Sequence, residues 1–193
     1  MTGIVQALIG GLGTAVAAVT DAYFNLVTLL LPGNGTNGAQ NNTFLDSSSN
    51  AFTITRNGNT TQGTFTPFSQ TGWGNYFDGN GDYLTIPLGT AANAAMNFGT
   101  GNFTIECWAY FQSFGGANYA PIFANSYLSY VGNNGQVLYY NGTSNVVTGN
   151  TGDVSLNTWT HLAWVRNGTT VTIYVNGVSK ASGAVSASIT QGS

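Results

Sequence analysis

Residues 158–180, TWTHLAWVRNGTTVTIYVNGVSK, decide the fold. Val171, Ile173 and Val175 alternate with Thr172, Tyr174 and Asn176, which gives a strand one apolar and one mixed face. Asn167-Gly168 joins this strand to Thr158–Arg166, and Asn176-Gly177 ends it. Asn and Gly tolerate the positive φ of tight hairpin turns, so two antiparallel hairpins are written in this stretch. Working outward, the same grammar predicts strands at Phe24–Leu31, Ala51–Arg56, Tyr83–Leu88, Phe103–Phe111, Tyr119–Phe123, Leu128–Val131 and Gln136–Tyr140. Asn-Gly recurs between them at 34-35, 57-58, 80-81, 134-135 and 141-142. In Phe103–Phe111 one face carries Phe103, Ile105, Cys107, Ala109 and Phe111, and the other Thr104, Glu106, Trp108 and Tyr110. Both faces are substantially apolar, as in a strand covered on both sides or facing a binding surface. The reading is all-β: an antiparallel two-sheet sandwich rather than a small barrel.

Composition narrows the function. Of 193 residues, 23 are Asn, 26 Thr, 14 Ser and 7 Gln, against only nine charged residues. Three basic residues, Arg56, Arg166 and Lys180, are too few for the phosphate contacts that sustain nucleic-acid affinity. One Cys, one His and one Glu leave little for catalytic constellations, so an enzyme is disfavoured. A 42% apolar content with a net charge of −3 supports a buried core rather than disorder. The lone Cys107 excludes an internal disulfide and a multi-thiolate metal site, and its side of the strand makes it a small core residue.

The start of the chain differs from the rest. IVQALIGGLGTAVAAV, residues 4–19, has no charge and sets Ile4, Leu8, Leu12 and Val16 four apart, the pattern of a short apolar helix. At about 1.5 Å per residue it is too short to span a membrane comfortably. Its glycines disfavour a free helix, so residues 1–20 read as a segment that orders by docking against other chains. A secretory signal and a merely apolar tail are the alternatives; no basic residue precedes Ile4.

Three blocks in order, YFDGNGDYLTIP at 76–87, FGTGNFTIECWAYF at 98–111 and NTWTHLAWVRNGTTVTIYVNGV at 157–178, resemble the laminin-G-like, concanavalin A-like lectin/glucanase superfamily. More narrowly, DAYFNLVTLLLPGNGTNGAQNNTFLDSSSNAFTITRNGNTTQGTFTPF at 21–68 looks like the version found in bacteriophage tail-fibre and other virion proteins, especially marine and cyanobacterial ones. The resemblance implies a concanavalin A-like jelly roll over 21–193. The family continues past the YVNG hairpin into a further strand, a Gly-rich turn and a last strand. These are not legible before Ser193, so the expectation is a portion of a longer fibre, or a sheet completed by another chain.

Glu106 shares its strand face with Trp108 and Tyr110. Related glucanases carry catalytic glutamates on such a face, but the second glutamate four residues later is replaced here by Tyr110. Glycoside hydrolysis typically needs two carboxyl groups across the scissile bond, with Asp153 and Asp82 the remaining partners to consider. The ligand-binding candidates are therefore Trp108, Tyr110, Glu106 and Trp73, with Tyr119, Tyr127, Tyr130 and Tyr140 as further aromatics; each has core packing as its alternative. Asp78, Asn80 and Asp82 alternate in FDGNGDY and offer oxygens to Ca²⁺, although a turn bonding its own amides explains them without a cation. His161, with no second His and no adjacent carboxylate, reads as a packed or surface side chain rather than a catalytic base.

The expectation is a non-enzymatic virion component, a tail fibre or surface appendage at the virion surface or tail. Residues 1–20 dock into other virion proteins, the protein is a homo-oligomer, and the sandwich attaches to a host-surface polysaccharide without a cofactor. A free carbohydrate-binding module and a polysaccharide hydrolase are the alternatives. No nucleic-acid or membrane partner is expected.

Overall fold

The computed structural model describes residues 21–33, 43–63, 65–68, 73–86, 89–114, 119–124, 128–186 and 188–189. The predicted helix at 4–19, the turn at Asn34-Gly35 and Tyr127 lie outside them.

The decisive stretch folds as read. Trp159–Asn167 and Thr170–Val175 pair antiparallel, with Asn167 opposite Thr170, and Val178–Ala184 follows with Val178 opposite Val175. Asn176 and Gly177 sit at φ +49° and +76°, the two positive values that a two-residue hairpin loop requires. The strand past this turn is the second arm of the YVNG hairpin, as the two-hairpin reading predicts. Beyond it, Ile189 exchanges backbone hydrogen bonds with Gly99.

In chain order the strands are β1 (Thr55–Asn57), β2 (Thr61–Gly63), β3 (Gly74–Tyr76), β4 (Tyr83–Thr85), β5 (Phe103–Tyr110), β6 (Tyr119–Ala124), β7 (Leu128–Gly132), β8 (Val137–Tyr140) and β9 (Asn145–Thr148). The last three are β10 (Trp159–Asn167), β11 (Thr170–Val175) and β12 (Val178–Ala184). One four-stranded sheet runs β12-β11-β10-β5 and a second β6-β7-β8-β9, with β1-β4 and β2-β3 as short ribbons. Every pairing among the named strands is antiparallel. An Ala-rich helix, α1 (Thr90–Met96), buries Ala92 and Met96 before β5.

Period-two burial brings the two large sheets face to face. Phe103, Leu162, Trp164, Val171, Ile173 and Val175 from the first meet Val131, Val137, Tyr139 and Val147 from the second, in one core. Ile105, Cys107, Ala109 and Phe111 pack against it, as their shared face predicts. Trp164 Nε1 donates to the Leu138 carbonyl at 2.9 Å, a bond that crosses between the sheets. Arg166 points inward and is 2% exposed; it donates to the carbonyls of Gly99, Gly168 and Val185 at 3.1, 3.0 and 3.0 Å. At the sheet edges Gly183 of β12 comes so close to β9 that a Cβ there would stand 2.8 Å from the Val146 carbonyl.

Phe24–Leu31 is not a strand. Phe24–Leu26 makes a 3₁₀ turn, and the chain after it is held by side chains rather than by a ladder. Asp46 Oδ1 accepts from the Leu30 and Ser48 amides and Oδ2 from the Phe52 amide and Ser48 hydroxyl, all at 2.8–2.9 Å. Burial would raise the Asp46 pKa, but these donors to its charged form outweigh it and hold the carboxyl below its usual value.

Candidate functional site

The outward face of the β12-β11-β10-β5 sheet carries the alternate residues Thr104, Glu106, Trp108 and Tyr110 of β5. The register sets Trp108 opposite His161, Tyr110 opposite Trp159 and Glu106 opposite Ala163. On one face of an antiparallel pair the diagonal neighbours are also in reach of long side chains. Accordingly, His161 Nε2 lies 3.5 Å from Glu106 Oε2, and the His161 and Trp108 ring centroids are 5.4 Å apart. This corrects the reading of His161 as lacking a carboxylate neighbour. The partner is 55 positions away in sequence (161 − 106), and only the β5–β10 register brings it close. The far end of His161 is fixed too: its amide donates to Asn176 Oδ1 at 2.9 Å, and its carbonyl accepts from the Asn176 amide at 2.8 Å.

Residues 65–68 reach this face from outside the sheet. Phe68 meets Trp108 edge-on at 5.5 Å, and Phe65 meets Tyr110 edge-on at 4.9 Å and Trp159 at 5.2 Å. The two candidate rings thereby separate. Tyr110 is half-buried between Phe65 and Trp159, whereas Trp108 keeps 42% of its surface exposed beside Glu106 and His161. Phe65, Phe68 and Trp159 were not singled out in the sequence. Their signal would have been the apolar residues of TFTPF in an otherwise polar connection, but which strand they cover depends on tertiary contact. Trp73, half-buried, stands one residue before β3 in the β2–β3 ribbon and not on this sheet.

The chemistry available at Trp108 is that of a polar recognition surface. A flat indole offers apolar contact and a carboxylate accepts hydrogen bonds, with an imidazole able to donate beside it. Cys107, on the opposite face, has its thiol pushed up to about 12, first by burial and then by the Glu106 charge. The carboxylates considered as a second acid are engaged elsewhere. Asp153 Oδ1 is 3.4 Å from Lys180 Nζ and its Oδ2 accepts from the Asn150 amide at 2.6 Å. Asp82 accepts from the Asn59 and Asp78 amides at 2.6 and 2.9 Å.

The FDGNGDY oxygens are likewise turned to the backbone. Asp78 Oδ1 accepts from the Asn80 amide at 2.7 Å; this bond first, and the Asn59 side chain second, hold the Asp78 carboxyl below its usual value. Asp82 ties the loop to the Asn57-Gly58 turn through Asn59. Among the described residues no group of three or more His, Cys, Asp or Glu side chains is placed to hold a metal ion.

On the second sheet's outward face, Tyr119 meets Tyr130 edge-on at 5.2 Å, and the Tyr130 hydroxyl donates to Asn145 Oδ1 at 2.6 Å. Because Asn145 lies two strands away, the Tyr130 ring spans β8, and Tyr130 is largely buried.

No curated protein and no solved structure matches the chain in comparison. Residues 78–193, more than half of the sequence, match a laminin-G domain family of the concanavalin A-like lectins and glucanases. That family makes carbohydrate binding the general expectation for the sandwich. With the antiparallel two-sheet core in place, the match establishes that the chain belongs to the concanavalin A-like lectin/glucanase superfamily.

Proposed function

We propose that the chain is a non-enzymatic virion component, a bacteriophage tail fibre or surface appendage, whose sandwich attaches to a host-surface glycan through the face around Trp108. The observation that carries the glycan-binding part is the exposed Trp108 ring beside the Glu106–His161 pair, on a sheet of a lectin-like fold. Binding without hydrolysis is supported by the single glutamate and by the engagement of Asp82 and Asp153 with other partners. The virion assignment is supported by the resemblance of residues 21–68 to phage fibre proteins and by the uncharged, Gly-rich stretch 4–19, suited to docking against virion proteins or further copies of the chain. Three basic residues argue against a nucleic-acid partner. No helix among the described residues is long and apolar enough to cross a membrane.

The test is location and adsorption together. The protein is expected in purified particles, and a chain lacking residues 1–20 should still bind host cells but fail to incorporate. Incorporation of that truncated chain would remove the docking role, and release of reducing sugar from host polysaccharide would remove the non-enzyme assignment.

A further inference from the structure

We infer that the saccharide recognised at the Trp108 face is uncharged. This inference deepens the glycan-binding reading above and rests on it. Uronates, sulfates, phosphates and sialates are held chiefly by charge-assisted hydrogen bonds from Arg and Lys. The whole sequence holds three such residues, and the structure accounts for each of them.

Arg166 is buried on the inward face, where its guanidinium clasps three backbone carbonyls. Lys180 follows Ser179 at the register shift of β12 and pairs with Asp153. Arg56 belongs to the β1–β4 ribbon, where its Nε donates to the Thr60 carbonyl at 2.7 Å. None of the three is among the outward residues of β5 and β10 that surround Trp108.

What that face presents instead is Glu106, with His161 as its neighbour. A carboxylate accepts from sugar hydroxyls but repels a second anion, and the net charge of −3 adds to that repulsion. Neutral groups stand with them: the Trp108 and Phe68 rings, and the Thr172 and Ser182 hydroxyls 3.1 Å apart on neighbouring strands. Recognition then rests on ring contact and on hydrogen bonds to an uncharged ligand, with no ion pair for salt to screen.

The full chain is titrated with a neutral glucan, a neutral mannan and a neutral galactan, and separately with polygalacturonate and a sulfated galactan. Each titration is run at about 50 and about 300 mM salt. The expected result is binding to at least one neutral polymer, changed less than roughly twofold by salt, with both anionic polymers roughly tenfold weaker or more. Glu106→Gln, which keeps the shape and removes the charge, should narrow that gap. Tighter, salt-sensitive binding to either anionic polymer would overturn the uncharged-ligand inference while leaving glycan binding in place. Failure to bind any of the five polymers would overturn both.

Discussion

Trp108 and Tyr110 share a strand face, yet their surroundings assign them different work. A Trp with 42% of its surface exposed gives up less on truncation than a buried one, for which about 3–5 kcal/mol is usual. We expect Trp108→Ala to cost about 1–2 kcal/mol of stability and to weaken glycan binding by roughly tenfold or more. Tyr110→Ala, which removes the ring between Phe65 and Trp159, should lower the melting temperature more than Trp108→Ala does and affect binding through that loss. Melting curves and glycan retention measured on the same two proteins check this; a Trp108→Ala protein that melts and binds like the parent would remove Trp108 from the site. The face itself was legible, because alternation along Phe103–Phe111 assigns Glu106, Trp108 and Tyr110 to one side. Its neighbours were not. His161 and Trp159 arrive through a pairing between strands about fifty residues apart in the chain, and no local pattern encodes that register.

At the scale of elements, long alternating runs were read correctly, while some of the shortest strands and the side-chain-held segment were not. β5, β10 and β11 have six to nine residues with clear burial alternation, whereas β2, β3 and β9, of three or four residues, carry too little period-two signal to place, and β1 and β4, of three residues each, only overlap the predicted Ala51–Arg56 and Tyr83–Leu88 regions. Phe24–Leu31 reads as a strand because it is apolar, but its backbone finds partners in the turn at 46–50 instead. Ser48 Oγ and Asn50 Nδ2 both donate to the Thr28 carbonyl, and Leu30 bonds Asp46. Asp46 thus clamps a segment that has no ladder, and its lowered pKa fixes the sign of a pH effect. The clamp contributes fully above the unfolded Asp value of about 3.9 and is lost as pH falls through the lower folded value. Asp46→Asn should cost about 1–3 kcal/mol at neutral pH, because amide donors lose a charged acceptor. The same variant should lose less further stability than the parent on acidification below about pH 4, where the parent carboxylate is itself being protonated. Urea midpoints at neutral and acid pH test both statements, and an unchanged neutral midpoint would show that the clamp contributes nothing.

For the molecule as a whole, one core drawn from both large sheets implies that neither sheet persists without the other. Val131, Val137, Tyr139 and Val147 are covered by Leu162, Trp164, Val171 and Ile173, so separating the sheets exposes both sets at once. Trp164 sits at the centre of that contact, fully buried, with its one polar atom bonded across to Leu138. The indole therefore serves two functions that substitution can separate. Trp164→Phe keeps most of the ring but leaves the Leu138 carbonyl without this donor, at a cost of about 1–3 kcal/mol plus the volume lost. Trp164→Ala empties the site and should cost at least about 3–5 kcal/mol. If the sandwich is one cooperative unit, both variants shift a single unfolding transition, seen at the same denaturant concentration by tryptophan fluorescence and by far-ultraviolet circular dichroism. The β1–β4 and β2–β3 ribbons contribute no residue to that core, and their three-residue ladders should exchange amide protons faster than β10 and β11. Divergent transitions by the two probes in Trp164→Phe would mean that the sheets unfold separately, and that the bond between Trp164 and Leu138 decorates the interface instead of joining it.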